Sequence, residues 1–232
     1  MKHALVLCSG GLDSVTAAFD AKNKGYTITI FFCNYNQRAY KGEKKSAKYF
    51  ARKLNAKFVE CDVRWLSSVS TSTINSSRKA KNGVSLKDTT KESKDWYVPC
   101  RNLVFISNAM AYAESEFIRK RIKYDIITGF KNDGPETFPD TTKEFADSLT
   151  NISNNTTKAK SRVLSPLIKM DKEDIISLAI KYKIPLEKTF SCYVGPEKHC
   201  GRCLACRLRR AGFYWANVND KTTYLFKSKA FL

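Results

Sequence analysis

Two short stretches of the chain carry residues able to do chemistry. The first is Ser9-Gly10-Gly11-Leu12-Asp13-Ser14, which interrupts an apolar run close to the N-terminus. Paired glycines let a backbone turn tightly and bring its N–H groups up to an anion. A helix beginning just behind them adds its positive end and its unpaired N–H groups. Ser9 and Ser14 offer hydroxyls. Asp13 is out of place beside a phosphate unless a cation neutralises it, and Mg²⁺ held between carboxylate and phosphate does that. An ordinary glycine turn into a helix cap would use the same residues. The string lacks the Lys of GxxxxGK[ST], so it is not a Walker loop.

The second stretch holds Cys192, Cys200, Cys203 and Cys206, spaced CxxxxxxxCxxCxxC. Four thiolates match a closed tetrahedral structural zinc site. An iron–sulfur cluster is the rival, and disulfides come third. Gly201 allows a tight knuckle, and Arg202, Arg207, Arg209 and Arg210 can offset its negative charge. His199 adjoins Cys200 but is read as a surface residue, because four Cys suffice; His3 begins a strand and is read as structural. The remaining Cys8, Cys33, Cys61 and Cys100 are scattered singly, as buried free thiols would be.

The elements that must position these groups follow from the apolar pattern. His3–Cys8 reads as a buried strand, Val15–Lys24 as a helix stopped by Gly25, and Tyr26–Cys33 as a β-branched and aromatic strand. Ala39–Leu54 is a charged helix and Lys57–Cys61 a third strand. This alternation implies parallel strands with right-handed crossovers, an open α/β sheet. Ligands in such sheets bind beyond the carboxyl ends of the strands, where Ser9–Ser14 lies. Residues 67–94 are rich in Ser, Thr, Lys and Asn and read as a polar lid loop. Arg101–Phe117 follows as a helix, Tyr124–Thr128 as a strand, and Lys131–Asp140 as a loop. A helix begins near Thr141, where Asp140 is a candidate N-cap. Arg162–Leu164 gives a fifth strand, Asp171–Tyr182 a helix capped by Asp171, and Leu204–Asn217 a basic helix.

At 232 residues with 43% apolar side chains, the chain suits a single core. We expect an α/β nucleotide-binding domain over residues 1–190, with residues 191–232 forming the knuckle and a helix packed on the same domain. No apolar run is long enough for a membrane helix, and the first residues do not read as a signal peptide, so the expected location is cytoplasmic. The formal charge of +19 is spread rather than concentrated in one run. It reads as a solvated lysine-rich surface with at most weak, nonspecific attraction to nucleic acid; a dedicated nucleic-acid partner is the sharper alternative.

The Ser-Gly-Gly-x-Asp-Ser string, in this place, resembles the pyrophosphate loop of the ATP pyrophosphatases, which activate carboxyl, carbonyl or amide-type oxygens by adenylation. Together with the knuckle it resembles one family of that group, 7-cyano-7-deazaguanine synthase of the queuosine pathway. Tyr35-Asn36-Gln37-Arg38 stands where that family has Tyr-Gly-Gln-Arg. Val98–Phe105 resembles its Val-Pro-x-Arg-Asn segment, and Phe138-Pro139-Asp140 follows Gly129 at the spacing of its Tyr-Pro-Asp. Ser191–Tyr193 and Cys200–Phe213 resemble its zinc knuckle. The departures are Asn36 for Gly, Thr141 for Cys, and Gly134 where an Asp is expected, with Asp133 one place early.

The resemblance implies an adenine nucleotide alpha hydrolase-like, Rossmann-type sheet with helices on both faces and a C-terminal zinc knuckle. It implies an ATP-dependent ligase that turns 7-carboxy-7-deazaguanine and ammonia into 7-cyano-7-deazaguanine through adenylated intermediates, as a homodimer. Ser9, Gly10, Gly11, Leu12, Asp13 and Ser14 would bind ATP and Mg²⁺, with Asp13, Ser14 and Arg101 catalytic. Gln37, Arg38, Arg101, Asn102, Asp133 and Asp140 would meet substrate, and Cys192, Cys200, Cys203 and Cys206 would bind one zinc. The departures leave open a related enzyme that stops at the amide or takes another acid. Direct RNA modification and a non-enzymatic zinc-knuckle nucleic-acid binder are further alternatives.

Overall fold

The computed structural model describes residues 2–76, 86, 90–131 and 138–226. Five strands form its sheet: β1 (Lys2–Leu7), β2 (Tyr26–Asn34), β3 (Lys57–Asp62), β4 (Tyr124–Ile127) and β5 (Val163–Leu164). Their order is β3-β2-β1-β4-β5, and every pairing is parallel. β1 and β2 read as near-continuous apolar runs because helices cover both faces. On one face Ala4 and Val6 of β1 pack with α1 (Leu12–Asn23), α2 (Tyr40–Lys53) and α6 (Lys172–Lys181). On the other, Leu5 and Phe31 pack with α4 (Arg101–Lys120) and α5 (Lys143–Thr156), and this core runs on into the four knuckle cysteines and Leu204 of α7 (Leu204–Trp215). The sequence reading of an open parallel sheet with helices on both faces is therefore what the chain forms.

The connections decide where a ligand can sit. From β1 the chain moves outward to β2 and β3, then crosses back to β4 on the opposite side of β1. The direction of winding reverses between β1 and β4, which opens a crevice beyond their carboxyl ends. The loops starting at Ser9 and at Thr128 flank that crevice.

Several boundaries differ from the sequence expectation. α1 begins at Leu12 rather than Val15, so Asp13 and Ser14 lie in its first turn. Asp13 and Ser14 break the apolar period there, although Leu12 is buried. α4 extends to Lys120, where Arg121 leaves the helix at φ +58°. Thr142, not Asp140, caps α5: its hydroxyl accepts from the Phe145 N–H at 3.1 Å. A hydroxyl next to the first turn competes well with a carboxylate two residues earlier.

The polar 67–94 segment is tied down at its start. Ser72, Thr73 and Ile74 are buried, the Arg38 N–H donates to the Ile74 carbonyl at 3.0 Å, and Asn75 Nδ2 donates to the Tyr35 carbonyl at 2.8 Å. A short helix, α3 (Thr90–Ser93), precedes the buried Trp96. Residues 77–85 and 87–89 of the expected lid lie outside the described residues. Among the described residues, no helix is long and apolar enough to cross a membrane.

Candidate functional site

The Ser9–Ser14 loop is clamped into shape from three sides. Gly10 sits at φ +81°, and a Cβ there would lie 2.7 Å from the Glu43 carbonyl oxygen and from Ser46 Cβ. Its own carbonyl accepts from Ser46 Oγ and from the Phe190 N–H, both at 2.8 Å. Gly129, just after β4, packs so closely that a Cβ would stand 2.7 Å from the Ser14 backbone nitrogen. Two glycines thus let β1, α2 and β4 converge on one turn. Ser14 Oγ donates to the Gly11 carbonyl at 3.1 Å, and Ser9 Oγ accepts from the Gly11 N–H at 3.3 Å. Among the described residues, no side chain caps the start of α1. Its first N–H groups and dipole therefore face the crevice, as an anion site requires.

The cation that Asp13 calls for is present in the chain itself. Lys172 Nζ donates to both Asp13 carboxylate oxygens at 2.6 Å. Lys172 opens α6, and its stem crosses Gly212 of α7, where a Cβ would meet Lys172 Cγ at 2.3 Å. Asp171 before it completes the helix start, its N–H donating to Asp174 Oδ2 at 3.2 Å. Nothing in the local pattern marks Lys172, which lies 159 residues from its partner.

Two adjoining cavities open from this turn. One, of about 270 Å³, is lined by Cys8, Ser9, Gly11, Asp13, Ser14, Cys33, Tyr35, Glu43, Arg101, Asn102, Phe105, Thr128, Gly129, Thr141 and Tyr193, with Leu7, Phe31 and Phe130. The other, of about 340 Å³, shares Ser9, Gly11, Asp13, Glu43 and Tyr193 with it. It runs past Lys172 to Leu204, Ala205, Leu208 and Arg209 of α7. The knuckle helix is thus a wall of the site rather than an appendage.

Arg101 lines the first cavity with its guanidinium 5.8 Å from the centre of the Tyr35 ring. Asn102, buried beside it, lines the same cavity and donates from Nδ2 to the Asp140 carbonyl at 3.2 Å. Asp140 and Arg38 line neither cavity. Asp133 lies outside the described residues. Gln37 is buried behind the wall: Oε1 accepts from the Tyr35 N–H at 2.9 Å, and Nε2 donates to the Cys33 carbonyl at 3.1 Å and to Glu43 Oε2 at 2.9 Å. Asn36 takes φ +60°, so the residue standing in place of a Gly keeps the left-handed turn that Asn tolerates best after Gly.

Glu43 is a cavity residue that sequence reading missed. Burial pushes its carboxyl up to about 7, against the Gln37 hydrogen bond and the Arg101 charge, which pull it down. Burial and the Glu43 charge push the Tyr35 hydroxyl well above its ordinary range.

The four knuckle cysteines meet as their spacing suggests. All are buried, and their Sγ atoms lie within 4.8 Å of one another. Backbone N–H groups aim at the sulfurs: Gly195 and Cys200 at Cys192 Sγ (3.1 and 3.3 Å), Tyr193 at Cys203 Sγ (3.5 Å), and Arg202 and Cys203 at Cys200 Sγ (3.4 and 3.3 Å). Hydrogen bonds within the cluster, those with Cys192 first, hold the Cys200 thiol down and push Cys203 and Cys206 up. Without a cation the four cannot all ionise, so donor set and surroundings fit a bound metal ion.

His199 is not a surface residue. It is buried, its Nε2 accepts from the Ser191 N–H at 3.0 Å, and its ring centre lies 4.7 Å from that of Phe190. Burial and the Arg209 charge lower it to about 4, so it is neutral and structural. Arg209 is buried too and is spent on Thr189, Ser191, the Leu186 carbonyl and Thr222, while Arg207 pairs with Glu92. Among the other thiols, Cys8 and Cys33 are buried as expected, Cys61 is half-buried and Cys100 is exposed.

Residues 3–217 match the family described as "Queuosine biosynthesis protein QueC". The chain is similar to a 7-cyano-7-deazaguanine synthase of Methanosphaera stadtmanae, 38% identical over 230 residues that cover 95% of this chain and 97% of that one. It is also similar to proteins of the same name from Methanobrevibacter smithii (34% identical; 96% and 98% covered) and Nautilia profundicola (34% identical; 97% and 99% covered).

Proposed function

The chain belongs to the queuosine biosynthesis protein QueC family, and on that premise we propose that it is an ATP-dependent ligase making 7-cyano-7-deazaguanine from 7-carboxy-7-deazaguanine and ammonia. The observation that carries the reading is the clamped anion turn at the β1/β4 crevice, opening on a cavity that also holds Arg101 and Asn102. The turn alone would serve many phosphate ligands. The family match narrows it to this reaction.

A carboxylate is a poor electrophile because its leaving group would be oxide. Adenylation supplies a better one, so ammonia can attack to give an amide; a second activation, on the amide oxygen, lets that oxygen depart and leaves the nitrile. Gly10, Gly11 and the first N–H groups of α1 would hold the pyrophosphate, with the Ser9 and Ser14 hydroxyls beside them. These donors are pre-arranged, because Gly10 and Gly129 are fixed by the close packing around them. Bound Mg²⁺ would neutralise phosphate charge, and Asp13 fits it as the carboxylate at the turn. Lys172 would exchange Asp13 for phosphate oxygen when nucleotide arrives. Arg101 would meet the substrate carboxylate or the α-phosphate, where a fixed guanidinium suits a planar oxyanion. Asn102 would meet substrate too, while Gln37 would act from behind the wall. The cysteine cluster would hold one structural zinc, which keeps α7 in place as a cavity wall.

The check is pyrophosphate release. Release from ATP that requires the deazaguanine acid supports the reading. Release unaffected by the acid, or seen only with RNA, would favour the alternatives. We also propose a homodimer, which sedimentation of the purified protein tests.

A further inference from the structure

We propose that Glu43 is the base that takes a proton from ammonium so that ammonia can attack the adenylated carbon. This deepens the reading above and rests on it. The reaction has a stated need: at neutral pH its nitrogen source is almost entirely ammonium, which has no lone pair to donate. A group in the cavity must accept a proton, and it must be a base near neutrality.

The cavity offers few choices. Among the described residues, the carboxylates lining it are Asp13 and Glu43. Asp13 has both oxygens on Lys172, and with nucleotide bound it would be the carboxylate for Mg²⁺. Tyr35 is held protonated, Cys8 is pushed up by burial, and Arg101 is a cation. Glu43 remains. It stands where both cavities meet, so it faces the nucleotide turn on one side and the α7 wall on the other. Gln37 fixes one carboxylate oxygen from behind, through a 2.9 Å bond to Oε2, and is itself anchored by the Tyr35 N–H and the Cys33 carbonyl. The carboxylate is thus oriented by a buried amide, as a proton acceptor at a reacting centre should be. Its charge faces Cys8 at the end of β1, Tyr35 beyond β2 and Arg101 at the start of α4. A carboxyl brought near 7 by burial is half-ionised where the enzyme works, which suits both taking and returning a proton.

Ammonium gives one proton to Glu43 Oε1. The freed lone pair forms the C–N bond, the C–O bond to the adenylate breaks, and AMP leaves with that electron pair. The N-protonated amide loses a proton to solvent, and Glu43 returns its own before the next turnover.

Hydroxylamine separates this role from a structural one, because it is neutral at pH 7 and needs no base. Wild-type protein and Glu43→Gln would be given the acid, MgATP and either subsaturating ammonium or hydroxylamine, and the amide, nitrile or hydroxamate read by mass spectrometry. Acid-dependent ATP–pyrophosphate exchange is followed alongside. We expect the variant to lose about 10²-fold or more with ammonium and less than threefold with hydroxylamine. Equal losses with both nucleophiles, or no loss with ammonium, overturn the proposal while leaving the ligase reading intact. Absence of acid-dependent exchange in the wild type overturns the ligase reading and this step with it. Should the variant not fold, the wild type suffices. At constant total ammonium its rate should level off above about pH 7, the value to which burial brings Glu43. A rate that keeps climbing with free ammonia refutes the base.

Discussion

Replacing Glu43 by Gln should stabilise the protein at alkaline pH. In the folded chain burial raises this carboxyl from 4.5 to about 7. Below pH 4.5 both folded and unfolded forms are protonated, and the site costs nothing. Between 4.5 and 7 the unfolded chain ionises while the folded one holds its proton, so stability falls as pH rises. Above 7 both are ionised and the full cost is present. Each pH unit in that window is worth about 1.4 kcal/mol, so the cost reaches about 3 kcal/mol by pH 8. Gln has nearly the same shape, still accepts from Gln37, and does not titrate. Urea unfolding of both proteins at pH 5 and pH 8 measures the effect. The variant's advantage should grow by about 2.5 kcal/mol between the two, or roughly 1 M in midpoint. Other titrating groups cancel in that comparison. An advantage that does not widen with pH would refute the reasoning, because Glu43 would then ionise freely in the fold. A gain in stability with a loss of reaction is the pattern expected where a group is buried for chemistry.

Asp13→Ala should abolish turnover in a folded protein, whereas Ser14→Ala should weaken it less because backbone groups share its task; near-normal turnover of the Asp13 variant refutes the Mg²⁺ role. Gly129→Ala puts a methyl group 2.7 Å from the Ser14 nitrogen, so it should lower stability by about 1–3 kcal/mol and raise KM for ATP, read by thermal unfolding and kinetics. Elemental analysis should find one zinc per chain, and Cys203→Ser should lose the metal together with the order of the knuckle; iron with sulfide, or a folded metal-free protein, contradicts this.

The residues around the turn explain how much could be read in advance. Ser9–Ser14 and the cysteine cluster are local: their spacing marks an anion turn and a metal cluster as candidates, and strand alternation places the turn beyond the carboxyl end of the sheet. α1 starts three residues before the expected Val15 because the polar Asp13 and Ser14 interrupt the apolar period while lying in the helix. Lys172 and Glu43 carry no local mark. Lys172 reaches Asp13 only because α6 packs beside α1, and Glu43 sits among charged neighbours on a helix whose Gly10-facing side is buried by close approach. His199 was misread because an adjacent sequence position says nothing about which side of a knuckle faces the core. Arg209 shows the same limit: its place beside the cysteines suggests a charge partner for them, whereas packing gives it to Thr189, Ser191, the Leu186 carbonyl and Thr222.

Product analysis tests the central claim most directly. Purified protein would be incubated with free 7-carboxy-7-deazaguanine, ammonium and MgATP, and the products followed by mass spectrometry at physiological ionic strength, with an RNA substrate in parallel. The account predicts the free nitrile, 7-cyano-7-deazaguanine, with AMP and pyrophosphate formed alongside it and no change to the RNA. Accumulation of the amide as the final product, or modification found only on RNA, would contradict it.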